Sequence, residues 1–201
     1  MPKKNLKIKG GYTIIETMIA VSIFLIVVMI GMGSLLNANL VHQKSRDMRS
    51  IMDNLSFIME DMSRNLRTGY NYACISSETA GGSLGTSTPI SGENCGGVAF
   101  KPATGGSQWG YEFVSLTIGS VTTSYIIKST DNGTTWYQIT PDEIVIDTVK
   151  SGFSVLGAEP ASEGNQKQPF VTIKIVGTIN SKGVATPFSL QTSVSQRLID
   201  I

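Results

Sequence analysis

Histidine occurs once in the 201 residues, at His42, and cysteine twice, at Cys74 and Cys95. One imidazole without a neighbouring Ser or Cys makes no nucleophile–base triad, and without a second ligand it makes no zinc site. The two cysteines lack CxxC spacing, which removes zinc-ribbon and thioredoxin-type chemistry. Charge is also scarce: 16 basic residues against 15 acidic ones give a net +1, and no general attraction to nucleic acid. The glycine pairs Gly81-Gly82 and Gly105-Gly106 have no P-loop lysine beside them. Asp142, Glu143 and Asp147 are spread through a turn and a strand, with neither a paired-carboxylate nor an EF-hand spacing. No catalytic residue, cofactor or metal ligand set is therefore expected, and neither enzymatic activity nor a nucleic-acid partner.

What is present is concentrated at the start. Lys3, Lys4, Lys7 and Lys9 crowd the first eleven positions, so the remainder carries 12 basic against 15 acidic residues, or −3. An apolar run follows in which Glu16 is the only formal charge. From Thr17 to Gln43 the sole ionisable side chain is His42. Such a run is long enough to cross a bilayer core of about 30 Å. Lysines before it and none just after it orient the N-terminus to the cytoplasm and everything from about residue 40 outward. Two cysteines beyond a span suggest one disulfide in an oxidising compartment.

A secretory signal cut at a small-x-small site such as Gly31-Met32-Gly33 would account for the run. An uncleaved signal anchor would account for it equally. Neither explains Glu16, since translocon scales charge about 2.5–3.5 kcal/mol for an acidic residue at mid-span. The stretch Gly10-Gly11-Tyr12-Thr13-Ile14-Ile15-Glu16, after a lysine-rich leader and before some twenty apolar residues, resembles the class III signal of type IV prepilins and pseudopilins. Tyr12 stands where phenylalanine is commoner. The resemblance implies that a prepilin peptidase cuts after Gly11 and N-methylates Tyr12, leaving Glu16 as the fifth residue of the mature chain. It further implies that Glu16 pairs with the N-terminal amine of a neighbouring subunit during fibre assembly. A charge in an apolar setting becomes tolerable when it is paired.

No helix breaker intervenes between Leu35 and Leu66, so the helix is expected to continue out of the membrane. Met48, Met52, Leu55, Met59, Met62 and Leu66 recur at steps of four and three, an apolar stripe best explained by core packing. Arg46, Asp47, Arg49, Asp53, Asp61 and Arg64 fall mostly off the stripe. Gly69 reads as the C-cap, after Arg64 and Arg67 have complemented the helix dipole. A helix from Ile14 to Thr68 would be about 80 Å long. Four segments result: a leader at 1–11, a transmembrane or fibre-core helix at 12–36, an amphipathic stalk at 37–68, and an extracytoplasmic β-rich head at 69–201.

Within the head, residues 76–97 are rich in Gly, Ser and Thr without apolar period and read as a loop, bracketed by Cys74 and Cys95. Strands are expected at 111–118 (YEFVSLTI), 122–128 (TTSYIIK), 135–139 (TWYQI), 144–149, 153–156, 170–179 and 188–198. Asp131-Asn132-Gly133 is a hairpin turn signal, and residues 180–183 (NSKG) are another. Trp109, Tyr111, Trp136 and Tyr137 read as sheet packing. Asn132-Gly133-Thr134 also matches a glycosylation sequon, a short motif of low specificity. The fold class expected is α+β: a long N-terminal helix packed on an antiparallel sheet. The order YIIK, WYQI, TPDEIVIDTVKSGFSVLG, VTIKIVG and FSLQTSVSQR resembles the J-type minor pseudopilins of type II secretion and related minor pilins. That resemblance implies a structural subunit in an initiating tip complex. Its partners would be other pilin-like subunits, the peptidase, an assembly ATPase, a membrane platform and the cytoplasmic membrane. The competing expectation is a bitopic, membrane-anchored binding or adhesin domain that joins no fibre.

Overall fold

The computed structural model describes residues 11–76, 81–84, 88–119, 121–160, 164, 167–181 and 184–197. The leader lysines lie outside them. Among the described residues one helix, α1 (Ile14–Thr68), precedes ten strands, and the fold is α+β as expected. The chain divides into two compact units, Met1–Arg46 and Asp47–Ile201. In the first, helical residues 14–43 are exposed apart from the half-buried Val28.

The second unit holds the core. Strands β1 (Tyr70–Ile75), β3 (Gly97–Lys101), β4 (Trp109–Ile118), β5 (Val121–Ser129) and β6 (Tyr137–Gln138) form one sheet in the order β1-β3-β4-β5-β6. A second sheet has the order β10-β9-β8-β2, from β10 (Val184–Ser195), β9 (Phe170–Ser181), β8 (Gly152–Leu156) and β2 (Gly92–Cys95), with β7 (Ile144–Ile146) also on β9. Their ladders are antiparallel throughout. Along β9, Val171, Ile173, Ile175 and Ile179 are buried while Phe170 and Lys174 are exposed, the alternation of a sheet wet on one face. Phe113 of β4 meets Phe153 of β8 with ring centroids 4.9 Å apart, which joins the two sheets through the core.

The methionine stripe is core. Leu55, Met59, Met62 and Leu66 are buried with Ile51 and Ile58, and Met48 and Met52 pack against the same cluster. The helix ends where expected, for a different reason from the one expected. A left-handed C-cap would put Gly69 at positive φ, but the left-handed residue here is Asn71 (φ 54°). Gly69 is needed for space: a Cβ there would lie 2.5 Å from Phe100 Cδ2. The carbonyls at this end are met by the Gly69 amide, which donates to Asn65 O (3.0 Å), and by the Tyr72 hydroxyl, which donates to Leu66 and Gly69.

Several boundaries shift. Strand β7 stops at Ile146, not at residue 149. The Asp147 carboxylate accepts the amides of Val149 (3.2 Å) and Lys150 (3.1 Å), turning the chain out of the ladder. The TWYQI strand contributes only Tyr137 and Gln138 to its ladder. At the turn before it, Asp131 accepts from the Thr135 hydroxyl, from the Thr135 amide (2.9 Å) and from Ser129 Oγ (2.8 Å), which hold its carboxyl down at about 2. The closing strand runs 184–195, two-residue hairpin register and all, since Ser181 pairs Val184. Of the expected turn at 180–183, residues 182 and 183 lie outside the described residues, as does residue 198.

Strands β1 and β3 were not expected, and the supposed loop 76–97 ends in strand β2. Glycine, asparagine and glutamate are poor strand formers, and GENC pairs only because β8 supplies a partner edge. The Cys74–Cys95 disulfide is present, with Cα atoms 5.5 Å apart. Its role is wider than closing a loop. Cys74 belongs to the first sheet and Cys95 to the second, so the bridge staples sheet to sheet. The chain-entropy contribution for a loop of this size is about 3 kcal/mol. Gly92 packs against the bridge, where a Cβ would lie 2.4 Å from Cys74 Sγ.

Candidate functional site

Tyr12 is 84% exposed and precedes the first helical residue, Ile14. The backbone carbonyl of Thr13 accepts the amides of Glu16 (3.1 Å) and Thr17 (3.2 Å), which starts the helix. The two hydroxyls of the first turns are satisfied locally: Thr17 Oγ1 donates to Ile14 O and Ser22 Oγ to Ile19 O, both at 2.8 Å. Their polarity is thereby hidden from an apolar surrounding. Glu16 differs. It sits in the first turn, exposed, with no side-chain partner among the described residues.

Around it the helix presents Ile14, Ile15, Met18, Ile19, Ile23, Phe24 and Ile26, each more than half exposed. A helix that is apolar all round is stable only when lipid or other chains surround it. Length and composition allow this helix to cross a membrane. Gly31 and Gly33 do not interrupt it. Nothing lies within 4 Å of a Cβ built at either position, so each is a place where another helix can come close. The helix dipole favours a carboxylate in the first turn, where Glu16 stands.

The other residues singled out by the sequence are scattered. His42 is exposed on the helix. Asp142 accepts from Gln138 Nε2 (3.0 Å), Asp147 pairs with Lys150 (2.8 Å), and Glu143 is exposed in between. No group of three potential metal ligands forms among the described residues. Trp136 packs by donating Nε1–H to Gly133 O (3.1 Å), and Asn132 and Gly133 are both left-handed in their turn (φ 61° and 79°).

One cluster was missed by sequence reading. Asp61 lies on the flank of the stripe, among the charges read as falling off it. In the fold its Oδ2 takes Lys128 Nζ at 2.9 Å and the Tyr111 hydroxyl at 3.1 Å. Asn65 Nδ2 donates to Asp61 Oδ1 (3.1 Å) and to Tyr111 Oη (2.8 Å). Lys128 also stands 5.3 Å from the Trp109 ring centroid and 5.4 Å from that of Tyr111, in cation–π range. Tyr111 and Lys128 are cross-strand partners, a pairing set by the β4–β5 register and invisible along the chain. The cluster fastens helix residues 61–65 to the sheet.

Burial pushes the Asp61 carboxyl up, but the Lys128 hydrogen bond and charge, with the Tyr111 and Asn65 hydrogen bonds, outweigh it and hold it below the usual carboxylate range. Burial drives the Tyr111 hydroxyl well above its ordinary value, with Asn65 opposing and Asp61 adding to the rise. A carboxylate with a lowered folded pKa stabilises the fold above its unfolded value, near 4, and that stability is lost as pH falls through the folded value. Glu112 acts in the opposite sense. Burial raises it, with the Gly81 amide partly offsetting, so it favours the fold as pH falls. Comparing Asp61→Asn with the parent isolates the first effect. Urea midpoints measured from pH 6 to pH 2 should fall more steeply for the parent than for the variant. Parallel curves would refute the assigned role of Asp61.

Comparison with protein-family models, with curated proteins and with solved structures returns no match to this chain.

Proposed function

We propose that this chain is a structural subunit of a type IV pilin-like fibre, a minor pseudopilin or minor pilin. It is made as a precursor in the cytoplasmic membrane, single-pass, with its N-terminus in the cytoplasm and its head outside. The peptidase cuts it after Gly11 and methylates Tyr12. The apolar helix then packs with those of other pilin-like subunits, in an initiating tip complex. Force and catalysis belong to partners, the assembly ATPase and the membrane platform, and the chain carries neither.

One observation carries the reading. The exposed apolar segment of α1, residues 14–41, bears a single carboxylate, Glu16, with no side-chain partner among the described residues, four residues after the position where a cut would release an amine. A head stapled by a disulfide supports export to an oxidising compartment. The Gly31 and Gly33 openings support close helix contact.

Mass spectrometry of the N-terminal peptide, from protein expressed with its peptidase, tests the assignment. The expected peptide begins at Tyr12 and carries one added methyl. A chain that keeps Lys3 to Gly11, or that is cut near Gly33, overturns the fibre assignment in favour of a membrane-anchored binding domain.

A further inference from the structure

Strand β10 is an edge of the second sheet, with β9 on one side and no strand on the other among the described residues. Its ladder with β9 runs one-to-one from Val184 to Ser195, without a bulge. Two residues reveal which backbone groups point outward. Pro187 has no N–H to give, and a proline within a ladder stands where that group would face away from the partner strand. Past the other end, the Gln196 amide donates to Pro169 O (3.0 Å), continuing the register that pairs Ser195 with Phe170. Even-numbered residues therefore bond to β9, and Ser189, Gln191, Ser193 and Ser195 turn their N–H and C=O groups outward. None of these residues takes a backbone partner on the outer side among the described residues. At Arg197, the next odd position, the outward amide is taken by Arg67 O (2.9 Å) at the end of α1. The edge is closed there and open just before it.

The devices that commonly protect such an edge are missing. The strand VATPFSLQTSVS contains no charged residue, and after Pro187 no further proline. Phe188, Leu190 and Val194 on its core face are only partly buried. A cleft of about 700 Å³ separates this end of the strand from the last turns of α1, with Thr192 and Val194 on the strand side and Ser63, Arg64 and Arg67 on the helix side; Arg197 also lines it. Arg64 pairs with Glu60 across the exposed helix surface (3.1 Å), a contact worth little in water. Arg67 and Arg197 have no side-chain partner among the described residues.

Open backbone groups, apolar side chains and then guanidinium groups thus follow one another along a single edge. An extended polypeptide segment, apolar toward one end and acidic toward the other, matches all three. Main-chain hydrogen bonds would supply affinity, and the guanidinium forks would receive carboxylates. A second copy of β10 matches poorly, because it brings no carboxylate to the arginines. We propose that the head accepts an acidic extended segment of a different protein as an added strand on β10, with its carboxylates on Arg67 and Arg197. The surface belongs to the second compact unit alone and does not depend on the fibre reading.

Fluorescence anisotropy of a labelled synthetic peptide, titrated with the full chain in detergent micelles, tests this. The peptide alternates threonine with valine, and aspartate replaces valine toward one end. Saturable binding is expected. Methylating one alternate set of peptide nitrogens should weaken it about tenfold or more, and methylating the other set should spare it, since an edge is paired from one side only. In the protein, Gln191→Pro removes one outward N–H while leaving the β9 ladder its donors, and should weaken binding about as much. Arg67→Glu with Arg197→Glu should lower affinity for the aspartate peptide about tenfold or more and raise it for a peptide with lysine at those positions. A misfolded head could not give that reversal. No saturable binding up to about 1 mM peptide, or equal effects of the two methylated sets, would overturn the proposal. So would Gln191→Cys chains that become disulfide-linked to one another on oxidation, because the edge would then belong to a second copy.

Discussion

Glu16→Ala is expected to exclude this chain from fibres while leaving its head folded. In a bundle of apolar helices the amine of Tyr12 and the carboxylate of Glu16 would each be costly alone. Removing one partner of a desolvated pair costs about 3–5 kcal/mol, because the other charge is left uncompensated. That corresponds to a loss of incorporation of about two orders of magnitude or more. Glu16→Gln should fail almost as badly, since it keeps the size of the side chain and loses the charge. The disulfide and the two tryptophans all lie in the second compact unit, so tryptophan fluorescence and non-reducing peptide mapping should be indistinguishable from the parent. The measurement is the amount of variant in sheared or purified fibres relative to its amount in membranes. Normal incorporation of Glu16→Ala would sink the pairing role.

The second large effect is expected in the head. Met62 is fully buried, on the stripe that packs against both sheets. Met62→Ala removes three heavy atoms from the centre of a close-packed core and should destabilise the head by about 2–5 kcal/mol, depending on how far the site collapses. Phe57, on the same helix and larger, is 72% exposed. Phe57→Ala should change the stability of the isolated chain by no more than about 0.5 kcal/mol. Urea denaturation followed by tryptophan fluorescence measures both. Equal effects, or a larger one at Phe57, would contradict the packing described here. The contrast is informative because composition alone ranks the two residues the other way.

The long helix was legible because its evidence is local. An unbroken apolar run, a stripe at steps of three and four and the lack of any breaker all act within a few turns, and α1 occupies the 55 residues expected of it. Its terminus was placed correctly while the cause was misread. Glycine is permitted at Gly69 by the position of the Phe100 ring, and that ring lies on a strand some thirty residues later. The β-branched strands were found for the same local reason. Strand β2 escaped because GENC carries little strand propensity and becomes a strand through the edge offered to it by β8. Strands β1 and β3 were passed over although Tyr70, Tyr72, Val98 and Phe100 favour strands, because each is short and their pairing joins segments on either side of the Gly- and Ser-rich stretch.

The charged residues divide in the same way. Glu16 was conspicuous because an apolar run makes any carboxylate stand out. Asp61 was inconspicuous because a charge beside a helical stripe is ordinarily solvated. It becomes a partner of Lys128 and Tyr111 only when β4 and β5 come into register and lie against the helix.

By itself, then, the sequence determined the membrane-compatible helix, the lone carboxylate, the buried stripe and the pair of cysteines, since each is a property of residues near one another in the chain. Only the tertiary structure decided that the disulfide links two sheets, that Asp61 is held by Lys128, and that the Phe100 ring leaves room only for glycine at Gly69. Those outcomes depend on strand register and on contacts between distant segments, which no local periodicity encodes.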